Sequence, residues 1–302
     1  MRGAGISFIM LAAVCWGLAG VIAGFLMREG WDPFVLSFYR GAIGLFVVLI
    51  WMAVQPGGSG FLNYRMWFWS LVAGLGISGN FTFYFFSIEA SGVAVAATLM
   101  YCAPIFVYLI SFALKIERST LVKWGAMATT LFGIVLLTRV YEVDSEKISG
   151  FGIGTGLLAG LSYALFVFGF KNASRHGSPQ AILIIAFTVL VVLLLGPADN
   201  EQSLAVLHSP KWPLFAILGV IGAGFSFFLY IVGLEHTTPA IASVVAMLEP
   251  VTASVCAVLI LDEELRGLQI AGMILILATV TALSWSSSSG NRAVESPDSE
   301  SA

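Results

Sequence analysis

Two charged side chains lie deep inside long apolar stretches of this sequence. Arg40 falls within the run 33–54, and Glu249 falls near the middle of the run 239–260. A charge at the centre of a membrane helix costs roughly 2.5–3.5 kcal/mol on insertion scales, so it faces protein or water rather than lipid. We expect Glu249 to anchor a ligand or carry a proton. Arg40 either pairs with such a group or has a structural role, by binding backbone carbonyls or by snorkelling.

A second set of candidates consists of polar-tipped residues at mid-depth of the apolar runs. Asn80 and Tyr84 share a helix face at i and i+4, and Ser226 and Tyr230 repeat that arrangement. Buried Tyr and Trp need hydrogen-bond partners, and apolar walls with a few polar groups suit apolar or aromatic ligands. Ordinary helix packing is the alternative for any single residue. The predicted substrate-binding residues are Trp16, Asn80, Tyr84, Tyr101, Tyr163, Tyr230 and Glu249.

Two prolines, Pro104 and Pro250, fall inside apolar runs. Each removes a backbone hydrogen bond and tends to kink its helix. We interpret them, with Arg40, as intramembrane gating candidates, and a static kink that only shapes packing is the alternative.

Several kinds of chemistry are missing from the sequence. The three histidines and three cysteines form no metal-ligand spacing, and no phosphate-binding loop or nucleophile elbow is present. The formal net charge is −3 without a basic block, which argues against a nucleic-acid partner. We therefore predict no enzymatic activity, no metal and no cofactor.

The elements that must position these residues are membrane-spanning helices. The sequence is 59% hydrophobic and only 10% charged, and its continuous apolar runs are long enough to cross a bilayer. Most tryptophans fall near the ends of these runs, as an aromatic belt predicts. The predicted spans are 4–27, 33–54, 66–88, 91–113, 121–139, 149–170, 179–197, 212–234, 239–260 and 267–285. We predict an all-α polytopic membrane protein whose partner is the lipid bilayer.

The chain also shows an internal repeat. A shift of 146 residues places Pro104 on Pro250 and Glu117 on Glu263, although chance alignment of apolar helices is the alternative. Five spans per half force the halves into opposite orientations, with a central cavity between them. The predicted divisions are a first five-helix repeat (1–147), a second, inverted repeat (148–285) and a disordered cytoplasmic tail (286–302).

These residues carry a family resemblance. Ala-x-x-Trp-Gly at 13–17, Phe-Tyr-Arg at 38–40, the two prolines and the two glutamates resemble EamA-type members of the drug/metabolite transporter superfamily. The resemblance covers about residues 4–285. More narrowly, the chain is similar to aromatic amino acid exporters of the YddG type. This implies ten helices, export of small metabolites, and a cavity that opens alternately to each side.

The orientation is predicted from lysine and arginine in the loops. Eight of these residues would lie inside and five outside if the N-terminus is inside, which favours two cytoplasmic termini. We predict a monomeric bacterial inner-membrane carrier that exports a small organic metabolite, most simply an aromatic or neutral amino acid or a related drug. The alternatives are another metabolite class, a channel-like facilitator, an intramembrane enzyme and a structural membrane protein.

Overall fold

The structure is a computed structural model that describes residues 2–56, 59–117, 119–261 and 263–292, with side chains described within 4–285. Ten apolar helices cross the molecule. They are α1 (Arg2–Arg28), α2 (Pro33–Val54), α3 (Tyr64–Ser91), α4 (Val93–Ala113), α5 (Leu121–Thr138), α6 (Gly150–Ala173), α7 (Pro179–Leu195), α8 (Trp212–Glu235), α9 (Pro239–Leu261) and α10 (Gly267–Arg292).

The prediction of an all-α polytopic membrane protein is confirmed. Over the described ranges, nine helices have the length and apolarity to cross a bilayer, and no residue lies in a strand. Helix α7 has only 17 residues, or about 25 Å at 1.5 Å per residue, because Gly196 and Pro197 follow it. A further short helix, Asn200–Val206, lies between α7 and α8.

Helix α10 is longer than the sequence suggests. Its backbone is helical to Arg292, seven residues into the segment 286–302 that was predicted to be a disordered tail. Residues 293–302 lie outside the described part of the chain.

Side-chain caps begin several of the helices. The Asp32 carboxylate accepts hydrogen bonds from Phe34 and Val35 N–H at 2.9 and 3.0 Å, and Pro33 occupies the first turn of α2. The Ser149 hydroxyl likewise accepts from Gly152 N–H at 2.9 Å. These caps satisfy backbone donors that have no partner within the helix, which matters most close to lipid.

The interior contains two antiparallel helix pairs with close backbone contact. In the first, α3 lies on α6, where Gly76 faces Phe166 and Gly169 faces Ala73. In the second, α1 lies on α8, where Gly5 and Gly233 meet. A Cβ atom at any of these glycines would come within 3 Å of a neighbouring atom, so the close approach requires glycine.

Helices that occupy equivalent places in the two halves of the chain also pack together in opposite directions. Gly41 and Gly44 of α2 meet Leu190 and Phe187 of α7, so the residue numbers rise on one helix as they fall on the other. Helices α5 and α10 make the same kind of contact, in which the Gln269 side chain donates to the Leu137 carbonyl at 3.2 Å.

The loops lie on two faces. The N-terminal face, where α1 begins, carries the described residues of the loops that follow α2, α4, α6 and α8. The far face carries the described residues of the loops that follow α1, α3, α5, α7 and α9. On the far face Glu142 binds both Arg139 and Arg266, and the hydrogen bond from Arg139 lowers the pKa of that carboxyl below its usual value.

Candidate functional site

A cavity of about 670 Å³ lies between the two halves of the chain. Its walls come mainly from α1, α2, α3, α4 and α9, with two side chains each from α6 and α8 and one from α10. It extends from the middle of the molecule to the far face, where it is bordered by Arg28 and Glu263, which bind each other and are exposed. No described residue of the loops on the N-terminal face lines it. The cavity therefore opens towards the far face and ends near the centre of the helices.

Two of the helices that flank the cavity are interrupted at mid-depth. Helix α4 breaks at Tyr101 and Cys102, and α9 breaks at Ala246 and Met247. Each break comes shortly before a proline, Pro104 or Pro250, because proline lacks the N–H that would continue the helical ladder. The two interruptions bring side chains at helix ends to the cavity wall.

Glu249 lies in the first turn after the break in α9 and lines the cavity. Its carboxylate accepts a long hydrogen bond of 3.5 Å from the Tyr101 hydroxyl, which stands at the break in α4. Among the described side chains, no Lys or Arg forms an ion pair with it. Glu249 is therefore a deep acidic group that faces a cavity.

Arg40 also lines the cavity, but its hydrogen bonds go to backbone. Its Nε and Nη2 donate to the Gly222 carbonyl at 2.8 and 2.6 Å, and its guanidinium lies 5.2 Å from the centre of the Phe81 ring. Gly222 belongs to a π-helical turn, Val220–Phe225, whose wider spacing disturbs the usual carbonyl pairing of α8. A Cβ atom at Gly222 would lie 3.1 Å from Arg40 Nε, so glycine gives the guanidinium room.

An aromatic cluster forms the inner end of the cavity. Trp16 lies 5.1 Å from Phe227 and 5.0 Å from Tyr230, and Tyr163 lies 4.4 Å from Phe166, all between ring centres. Trp16 Nε1 is buried without a hydrogen-bond partner, whereas the buried hydroxyls of Tyr163 and Tyr230 interact with each other. Buried polar groups are nearly always satisfied, so the unpartnered indole N–H beside this tyrosine pair is consistent with a site that receives a polar ligand.

The structure brings together most of the residues predicted to bind substrate. Six of the seven line the cavity, whereas Tyr230 is fully buried behind Trp16. Neither Pro104 nor Pro250 lines the cavity. The lining residues among the predicted candidates are Trp16, Arg40, Asn80, Tyr84, Tyr101, Tyr163 and Glu249.

Other cavity residues did not stand out in the sequence. Phe166 and Phe227 each stand three residues from a predicted tyrosine, so helical periodicity would have placed them on the same face. Arg28 and Glu263 meet across the mouth although they are far apart in the chain, and no local sequence pattern indicates that contact.

Comparisons with known proteins agree with this architecture. The model of the EamA-like transporter family matches the chain twice, at residues 3–139 and 150–285. An uncharacterized transporter of Archaeoglobus fulgidus is 28% identical over 277 residues, covering 90% of this chain and 93% of that protein. The uncharacterized transporter YwfM of Bacillus subtilis is 24% identical and covers 92% of each chain. Protein PecM of Dickeya dadantii is 24% identical and covers 90% of each.

One solved crystal structure has the same fold. It superposes with a TM-score of 0.75 and covers 98% of this chain and 100% of that one, at 17% sequence identity. At that identity the likeness concerns the fold alone.

Proposed function

The chain belongs to the EamA-like transporter family and is a multi-pass membrane transporter rather than an enzyme, and on that premise we propose that it exports small zwitterionic metabolites, above all aromatic or neutral amino acids. Transport would proceed by alternating access between two inverted halves. The resemblance to aromatic amino acid exporters of the YddG type is part of this proposal.

The helix packing supports the inverted arrangement. The equivalent helices α2 and α7 run antiparallel, and so do α5 and α10. The contact between α3 and α6 has its counterpart in the contact between α8 and α1. Two halves of opposite orientation with a site between them are the architecture of many secondary transporters.

The observation that carries the substrate class is the charge balance of the cavity. Its inner part holds one carboxylate, Glu249, and one guanidinium, Arg40, and the pair at the mouth is itself neutral. A zwitterion matches this balance, since its ammonium group would bind Glu249 and its carboxylate would bind donors that Gly222 leaves free on Arg40. The aromatic rings around Trp16 would hold an aromatic or apolar side chain.

Two alternatives are distinguished by the same cavity. A transporter of metabolites that carry a net charge is disfavoured by this balanced lining. A channel-like facilitator needs a continuous polar path, whereas the cavity here ends at the cluster of Trp16, Tyr163 and Phe227. The closed inner end therefore favours a carrier.

The location and orientation are part of the proposal. We place the protein in a bacterial inner membrane as a monomer, with the N-terminal face in the cytoplasm, so that the cavity opens outward. The loop charge bias supports this orientation.

Competition by three related ligands tests the substrate class. Purified protein in proteoliposomes is given labelled tryptophan together with unlabelled tryptophan, tryptamine or indole-3-propionate, the last two lacking the carboxylate and the ammonium respectively. We expect tryptophan to compete best, because it alone satisfies both charges. Equal competition by all three, or none by any, would contradict the assignment.

The variant Glu249→Gln removes the negative charge while keeping the shape of the side chain. Loss of one charge-assisted hydrogen bond should raise the apparent KM for tryptophan by about tenfold or more. The matched control is Glu146→Gln, whose side chain is exposed on the far face outside the cavity. An unchanged KM in the Glu249 variant would remove this carboxylate from the site.

A further inference from the structure

Glu117 joins α4 to the beginning of α9 at the N-terminal face. Its side chain is 3% exposed, and Oε1 accepts a hydrogen bond from Ala240 N–H at 3.1 Å, in the first turn of α9. Its Oε2 binds Lys123 Nζ at 2.5 Å. The carboxylate therefore connects the two halves of the chain where the cavity is closed.

The counterpart of this glutamate makes a different contact. The 146-residue shift relates Glu117 to Glu263, Ala240 to Ala94 and Lys123 to Gln269. Glu263 lies at the open mouth of the cavity and binds Arg28, while the first turn of α4, which follows Gly92, has no side-chain cap. Glu117 therefore accepts a hydrogen bond from the first turn of α9, whereas Glu263 makes no equivalent contact with the first turn of α4.

The same difference extends along both helices. At the N-terminal face Val107, Tyr108 and Ser111 of α4 are buried, and the segment Ala103–Ala113 packs on Pro239–Val245 of α9. The equivalents of these three residues in α9 lie towards the far face and line the cavity. They are Ala253, Ser254 and Ala257. At that face the cavity separates α9 from the start of α4.

Other contacts are alike in both halves. Gly5 of α1 faces His236 and Thr237, and its equivalent, Gly152 of α6, faces Ser91. The pairs α1–α8 and α6–α3 are therefore alike at these ends, whereas the contacts between α4 and α9 differ between the two faces.

We infer that Glu117 and Glu263 are alternating latches: Glu117 seated on the start of α9 holds the N-terminal face closed, and Glu263 seated on the start of α4 holds the far face closed when the cavity opens the other way. The inference rests on the proposed alternating access, but not on the identity of the substrate. Closure of the far face requires Glu263 to leave Arg28 and to accept from the N–H groups near Ala94.

The two latches are not of equal strength. Lys123 supports Glu117 with a positive charge, whereas the equivalent Gln269 is neutral and donates instead to the Leu137 carbonyl. The latch at the N-terminal face is the stronger one, which agrees with a structure that is closed at that face. A charge-assisted contact exceeds a neutral one in strength.

Thiol accessibility without any substrate tests the latches. The reporters are Ser254→Cys, approached by a membrane-impermeant maleimide from the far face, and Ser111→Cys, approached from the N-terminal face. Both are placed in a chain whose three native cysteines are replaced by alanine. Glu117→Gln and Glu263→Gln form a matched pair of variants, and size-exclusion profiles confirm that each is folded.

We expect Glu117→Gln to slow labelling at position 254 and accelerate it at 111, so that the ratio of the two rates falls by about tenfold, which corresponds to about 1.4 kcal/mol. Glu263→Gln should neither slow labelling at position 254 nor accelerate it at position 111. Gln269→Lys, which adds the missing charge beside Glu263, should slow labelling at 254 as Glu117→Gln does.

Equal effects of the two glutamine variants, or unchanged labelling in Glu117→Gln, would overturn the inference. Because no substrate is present, a wrong substrate assignment leaves the labelling pattern intact. A failure of the latches likewise leaves the ligand competition by tryptophan and its analogues unaffected as a test of the substrate class.

Discussion

At the scale of single residues, the unpartnered indole N–H of Trp16 is the most informative feature. A buried N–H without a partner costs free energy in the empty protein, and a ligand acceptor would recover it. Removal of such a donor should therefore spare the stability of the empty protein but weaken the binding of the ligand. A residue that only packs would show the opposite pattern.

Trp16→Phe removes the orphaned N–H and keeps an aromatic ring. We expect the thermal unfolding temperature to stay the same or to fall only slightly, because the lost ring volume is offset by the removal of an unsatisfied donor. The KM for transported tryptophan should rise by about threefold to tenfold if the indole N–H donates to the substrate. A large loss of thermal stability with an unchanged KM would assign Trp16 to packing.

The sequence predicts many of the cavity residues because they are rare exceptions in apolar runs. Arg40, Glu249 and the mid-depth tyrosines stand out for that reason. The partner of Arg40 does not, because it is the Gly222 carbonyl in a π-helical turn, and a backbone acceptor leaves no side-chain signal. The pairing of Arg40 with Glu249 that the sequence suggests is met in part. Both side chains line one cavity, but no direct ion pair joins them.

At the scale of elements, glycines determine how closely the helices approach. A Cβ atom at Gly76 of α3 would lie 2.5 Å from the backbone nitrogen of Phe166, whereas at Gly154 of α6 it would meet nothing within 4 Å. Backbone atoms cannot rotate away as a side chain can, so the α3–α6 pair would have to separate.

Gly76→Ala should therefore destabilise the protein by about 1–3 kcal/mol, as overpacking does. Gly154→Ala is the matched control, and we expect it to be neutral or to stabilise by about 0.5–1 kcal/mol through helix propensity. Thermal unfolding in detergent measures both. Equal melting temperatures for the two variants would contradict the close α3–α6 contact.

Helix existence is easier to predict than helix interruption. All ten predicted spans correspond to helices, because each apolar run has only one way to satisfy its backbone in lipid. The prolines indicate that α4 and α9 are disturbed near Pro104 and Pro250. The π-helical turn in α8 has no comparable signal, and the helical extension to Arg292 lies in a polar sequence without spanning character.

At the scale of the whole molecule, the direction of the cavity depends on which face lies in the cytoplasm. Arg175 and Glu146 are exposed in loops on opposite faces. In a chain without native cysteines, we expect Arg175→Cys to react with an impermeant thiol reagent only after the cytoplasmic side is made accessible. Glu146→Cys should react in intact cells, and the reverse pattern would invert the proposed direction of opening.

The central claim is that this chain is a carrier with two alternately open states. Counterflow tests it most directly: proteoliposomes are loaded with excess unlabelled tryptophan, diluted, and given a trace of labelled tryptophan outside. We predict a transient accumulation of label above equilibrium that saturates with external concentration, because a carrier exchanges one bound ligand for another. Entry of label that only approaches equilibrium, without saturation, would show a channel and contradict the account.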